Sequence, residues 1–175
     1  MRRKILGFAL AVSSVAGCAT VEQHTTLSRP VNSEAFVSVG DVMVRVDVTE
    51  DLPNAFGRAD IYGRTRARGF AEVRYMGLSP EGLAIFRRRD VDIQTNETTM
   101  NTMGAGTAVV SAQPAGNGVV GTGIYTQAPA PNVQALPPDT IQFALDLSQG
   151  RLITIRDKTI EIREVSATGV RFVIR

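Results

Sequence analysis

Thr140-Ile141-Gln142-Phe143-Ala144-Leu145-Asp146-Leu147-Ser148-Gln149-Gly150 opens the stretch that decides the fold. It runs on through Leu152-Ile153-Thr154-Ile155, Ile160-Glu161-Ile162-Arg163 and Val170-Arg171-Phe172-Val173-Ile174. Ile141, Phe143, Leu145 and Leu147 fall on every second residue, as do Ile160 and Ile162, and again Val170, Phe172 and Ile174. In an extended chain that spacing sends apolar side chains to one face and polar ones to the other. Ser148-Gln149-Gly150, Arg156-Asp157-Lys158 and Ala167-Thr168-Gly169 interrupt the pattern with turn-forming residues. Four strands joined by short turns predict a C-terminal four-strand antiparallel meander.

Toward the N-terminus the same period recurs. Val42, Val44, Val46 and Val48 alternate with Met43, Arg45 and Asp47, while Val37 and Val39 have the opposite parity, so Gly40-Asp41 marks a tight turn or bulge within a first strand pair. Residues 49–57 read as a loop, and Ala59-Asp60-Ile61-Tyr62 as a short edge strand. From Arg64 to Met76 the even positions are mostly charged and Ala67, Ala71, Val73 and Tyr75 supply a packing face; Ser79-Pro80-Glu81-Gly82 turns. In the next strand Leu83, Ile85, Val91 and Ile93 share parity with Arg87 and Arg89. An uninterrupted strand with that face inside would bury two guanidinium groups, which predicts a bulge, a turn or an exposed rim at Arg87-Arg88-Arg89.

No charged residue stands between Thr98 and Pro138. Residues 104–138 are rich in Gly, Ala and Pro; Thr107–Gln113 and Val119–Gln127 are compatible with a long hairpin or an open loop, and Pro129, Pro131, Pro137 and Pro138 favour extended chain. Tryptophan is absent, and Val, Ile and Thr dominate the patterned segments. The expected fold is mainly β: an antiparallel β-sandwich or small open β-barrel in a single domain over 36–175.

At the other end, Arg2, Arg3 and Lys4 precede a short apolar run from Ile5 to Val12, followed by Ser13, Ser14 and Val15-Ala16-Gly17-Cys18. This is the layout of a secretory signal, too short for a stable membrane span. Val15-Ala16-Gly17-Cys18 resembles the lipobox of bacterial lipoproteins position by position: an aliphatic residue, two small residues, then Cys. The resemblance implies removal of 1–17, a diacylglycerol thioether on Cys18 and acylation of its amine. Two or three chains, at about 0.8 kcal/mol per buried CH₂, anchor stably. Ala19, where an Asp would retain such a protein in the inner membrane, implies the outer membrane. Residues 18–35, polar and irregular, then read as a lipidated flexible tether, with His24 solvated inside it.

Cleavage changes the charge. Of 19 basic and 17 acidic residues, the segment before Cys18 removes Arg2, Arg3 and Lys4 and no acid, leaving 16 against 17. The basic balance therefore belongs to the leader, and nothing supports nucleic-acid binding. With one Cys, destined for lipid, and one His, no Cys–His or Ser–His–Asp set and no His/Cys metal spacing exists on the domain. No glycine-rich phosphate loop precedes a helix, so no cofactor is expected. Asp41, Asp47, Glu72 and Glu97 are available for acid–base work, but no spacing singles out two of them.

The remaining concentration of chemistry is arginine: Arg64, Arg66, Arg68, Arg87, Arg88 and Arg89 form a candidate anionic-ligand patch, or else a solvated face paired with Glu72, Asp90 and Asp92. The sequence thus favours a non-enzymatic outer-membrane lipoprotein facing the periplasm, its partners the lipid membrane through Cys18 and an envelope protein or anionic envelope ligand. The alternatives are a subunit of an oligomeric envelope assembly or pore contributing the uncharged hairpin, and a carboxylate-based periplasmic hydrolase. Cys18→Ser is expected to remove the acyl mass from the exported chain and release it from the membrane fraction, as read by intact mass and fractionation.

Overall fold

The computed structural model describes residues 19–102, 106–115, 118–127 and 129–175. The export segment and Cys18 lie outside them. Twelve strands follow in order: β1 (Gln23–Leu27), β2 (Glu34–Ser38), β3 (Val42–Asp51), β4 (Thr65–Leu78), β5 (Ala84–Thr95), then a helical turn α1 (Thr99–Thr102), β6 (Gly106–Ala115), β7 (Gly118–Gln127), β8 (Val133–Ala135), β9 (Asp139–Leu145), β10 (Leu152–Ile155), β11 (Lys158–Val165) and β12 (Gly169–Ile174). One sheet has the order β1-β3-β4-β5, with β8 and β9 sharing the far flank of β5; the second has the order β10-β11-β12-β2. Every pairing is antiparallel. The two sheets face each other as a sandwich and do not close into a barrel. Among the described residues β6 and β7 pair only with each other.

The core lies between the sheets. Val44, Val46, Val73, Tyr75 and Phe86 from the first meet Ile155, Ile160, Ile162, Phe172 and Ile174 from the second. Tyr75 and Phe86 lie 5.5 Å apart between ring centroids, and Phe86 stacks on Phe143 at 5.8 Å, so aromatic rings run across β4, β5 and β9. The Tyr75 hydroxyl donates to the Ser166 carbonyl at 2.8 Å, tying the first sheet to the β11–β12 turn. Burial pushes the Tyr75 hydroxyl pKa up, which keeps it a donor. Gly69, at φ 143°, lets β4 lie against β5: a Cβ there would strike the Val91 carbonyl.

The mainly antiparallel sandwich agrees with the sequence pattern, and five expectations change. The meander holds for β10, β11 and β12, but its fourth neighbour is β2, and β9 joins the first sheet along β5. Alternation identifies a strand without saying which sheet it joins. Here the Phe86–Phe143 stack holds β9 in one layer, and a turn folded around Asp146, whose carbonyl accepts from Gln149 and Gly150 at 3.0 Å, carries the chain to the other.

Gly40-Asp41 is a tight turn as expected, with Asp41 N–H donating to the Ser38 carbonyl at 3.1 Å, but the strands it joins belong to different sheets rather than to one pair. β2 and β3 do not pair with each other, so opposite parities keep Val37 and Val44 both facing the core. The stretch read as a tether contains β1, zipped to β3 from Gln23↔Glu50 to Leu27↔Val46, and His24 Nε2 lies 2.7 Å from Asp51 Oδ1. Of residues 59–62, only Ala59 makes a bridge, to Pro53, and the rest form a turn.

The fifth change concerns β5, which runs unbroken through the arginines, because the residues it sends into the core between the sheets are Ala84 and Phe86 rather than Leu83 and Ile85; Val91, also buried, lies outside that core cluster. The irregularity sits instead in β4, between Tyr75 and Gly77. Tyr75→Phe removes the one hydroxyl that bridges to the Ser166 carbonyl. It is expected to lower unfolding free energy by about 1–2 kcal/mol, measured as a reduced urea midpoint at unchanged m-value.

Candidate functional site

Because Ala84 and Phe86 face the core, alternation turns Arg87 and Arg89 to the outer face of the first sheet and Arg88 to the inner one. Register then fixes their neighbours. One row crosses the sheet as Arg45, Glu72, Arg89 and Thr140, and the next as Val42, Arg74, Arg87 and Gln142. Arg74, Arg87, Arg89, Glu72 and Thr140 line a shallow concavity of about 370 Å³.

Glu72 is the buried acid of this face, only 3% exposed. Its Oε1 accepts from Arg74 Nε at 3.0 Å, and its Oε2 stands 4.0 Å from Arg45 Nη1. Arg45 also donates to Asp47 at 2.8 Å and lies over the Phe70 ring, 3.7 Å from its centroid. The face thus carries four guanidinium groups against two carboxylates, and Arg45 and Arg74 use both carboxylates. Among the described residues no carboxylate lies within ion-pair distance of Arg87 or Arg89; Arg89 leans toward Phe70 at 5.7 Å. Two residues apart on one strand face, their side chains emerge about 6.5–7 Å apart, a span that two guanidinium forks close on one phosphate or carboxylate. The Thr140 hydroxyl on β9 adds a neutral donor beside them.

The other arginines of the expected patch go elsewhere. Arg88 pairs with Asp90 at 2.8 Å and donates toward the Thr154 carbonyl of β10 at 3.5 Å, so it works between the sheets. Arg66 and Arg68 share the Glu50 carboxylate at 3.1 and 3.3 Å, and Arg66 also donates to the Glu97 carbonyl at 2.7 Å. Arg64 grips Asp60 through two hydrogen bonds, at 2.7 and 3.1 Å, which hold that carboxyl below the usual carboxylate range. The six arginines therefore make no single patch. Arg87 and Arg89 remain, joined by Arg74 and Thr140.

Thr140 carries no signal in the amino-acid order, since only the register of β9 against β5 places it beside Arg89. Arg87 and Arg89 could have been separated from Arg88 by reading Ala84 and Phe86 as the buried pair. Five concavities lined by described residues hold no more than one carboxylate each, and no group of three or more metal-ligating side chains occurs among the described residues. Compared with known proteins, the chain matches no protein family, no curated protein and no solved structure.

Glu72→Gln leaves Arg74 and Arg45 without their shared acid and is expected to cost about 1–2 kcal/mol in urea denaturation. Arg87→Ala and Arg89→Ala, which break no ion pair, are expected to shift stability by less than about 0.5 kcal/mol.

Proposed function

We propose that the protein is an outer-membrane lipoprotein whose β-sandwich faces the periplasm and binds an anionic group of an envelope component. The observation that carries this reading is the pair Arg87 and Arg89. Two guanidinium groups stand on one strand face beside Thr140 without an ion pair among the described residues, the neighbouring Glu72 being taken by Arg74, while each of the other four arginines first grouped with them has an acid. Exposed cations without a fold partner contribute little to stability, and they suit phosphate or carboxylate on a partner. The address rests on Val15-Ala16-Gly17-Cys18 and Ala19.

A second reading, a subunit of an oligomeric assembly, is favoured by one observation. β6 and β7 are ten residues each, carry no charge, and among the described residues both outer backbone edges of their hairpin have no neighbouring strand. Such edges accept a strand from another chain.

Copurification from detergent-solubilised membranes, with the anchor intact, tests the first reading. Arg87→Glu/Arg89→Glu is expected to lose the partner captured by the native chain, and Arg66→Glu is expected to keep it if it folds. Unchanged capture by the double variant removes the arginine pair from the function, and crosslinking into a ring of defined size favours the assembly.

A further inference from the structure

The connection between β3 and β4, residues 52–64, shows three large apolar side chains to solvent. Phe56 is 88% exposed, Ile61 85% and Tyr62 76%, the three most exposed large hydrophobic residues among those described. The backbone that presents them is closely tied. Asn54 accepts from the backbone N–H of Phe56 and Arg58 at 2.9 and 3.1 Å; Asp60 N–H donates to the Leu52 carbonyl at 2.9 Å, and Leu52 N–H to the Arg64 carbonyl at 2.8 Å. Gly57 and Gly63, at φ 70° and 65°, make the turns.

The loop's acid is withdrawn into the Arg64 fork, so the tip offers Phe56, Arg58, Ile61 and Tyr62. Met100 of α1, 47% exposed, extends the apolar surface across a concavity of about 500 Å³.

This loop also holds the start of the described chain. Ala59 N–H donates to the Ala19 carbonyl at 3.1 Å. Cys18 is the residue bonded to Ala19 in the sequence. If Cys18 carries acyl chains, they enter the leaflet beside Phe56, Ile61 and Tyr62. Apolar rings and branched chains with a cation among them match the acyl–headgroup boundary, where aromatic side chains settle and arginine meets phosphate.

We propose that the β3–β4 loop is a second, non-covalent contact with the lipid leaflet that anchors Cys18, and that it fixes the tilt of the sandwich on the membrane. The proposal rests on the lipoprotein reading. A single acylated residue leaves a domain free to swivel; a rigid apolar loop beside it removes that freedom. β4 then leads away from the bilayer for 14 residues, about 45 Å of strand, to the turn at Ser79–Leu83.

Cys18 is the only cysteine, so in the acylated protein an introduced cysteine is the sole free thiol. Phe56→Cys, Ile61→Cys and, at the distal turn, Glu81→Cys, each bearing an environment-sensitive fluorophore, are compared in vesicles of phosphatidylethanolamine and phosphatidylglycerol after intact mass has established acylation. The labels at 56 and 61 are expected to shift to the blue and lose access to an aqueous quencher, while the label at 81 stays quenched. Labels at 56 and 61 as accessible as that at 81, on a chain whose Cys18 is acylated, overturn the proposal and leave the lipoprotein reading standing. Protection that grows with the protein-to-lipid ratio makes a second copy the occupant and also overturns it. A chain without acyl mass overturns the lipoprotein reading, and the proposal with it.

Discussion

The structure depends on which residues of β5 the core takes. Phe86 lies between Tyr75 and Phe143, and the Tyr75 hydroxyl reaches across to the other sheet. Once that stack is formed, a strand period of two leaves no freedom. Arg87 and Arg89 face out, Arg88 faces in, and a one-residue slip would exchange them and place two guanidinium groups in the sandwich. The aromatic contact, far from any arginine function, therefore determines which arginines are available.

Charge pairing makes the second selection. Glu50 serves two arginines, Asp60 one, Asp90 one, and Glu72 sits beneath the outer face as a shared acid. These pairs are half-buried, with no side chain among them more than 33% exposed. Their effect is geometric, holding long side chains in place and leaving Arg87 and Arg89 over. The loop at residues 52–64 follows the same logic: its acid turns inward to Arg64, and the apolar residues and Arg58 turn outward. The molecule so presents two chemically distinct surfaces, an apolar one at the end of the first sheet near Ala19 and a cationic one on that sheet's outer face.

Much of the fold was legible in the sequence, because alternation is a local property. The strands Val42–Val48, Leu152–Ile155 and Val170–Ile174 stand out from their side chains alone. What could not be read was the allocation of strands to layers. Ile141-Gln142-Phe143 has the same period whether it joins β10 or β5, and only the three-dimensional stack on Phe86 decides. β1 has no apolar alternation because Gln23-His24-Thr25-Thr26 is an exposed edge strand, stabilised by backbone pairing to β3 rather than by burial. On the candidate site, the run of three arginines was visible and its division between two faces was not, because Leu83 and Ile85 suggest the wrong parity. The apolar loop had no signal of its own: Phe56, Ile61 and Tyr62 follow no period, and their exposure is a property of the folded backbone.

The second sheet has a further consequence for how the chain comes into being. β12 lies between β11 and β2, and its pairing joins Glu34 to Val173. That sheet cannot assemble while residues 169–174 are still on the ribosome, and the core of the first sheet has no lid until it does. Contacts so distant in sequence form slowly. The first sheet can zip from neighbouring hairpins, whereas closure of the sandwich over it waits for residues 169–174 to meet β2, which makes that junction the late step of folding.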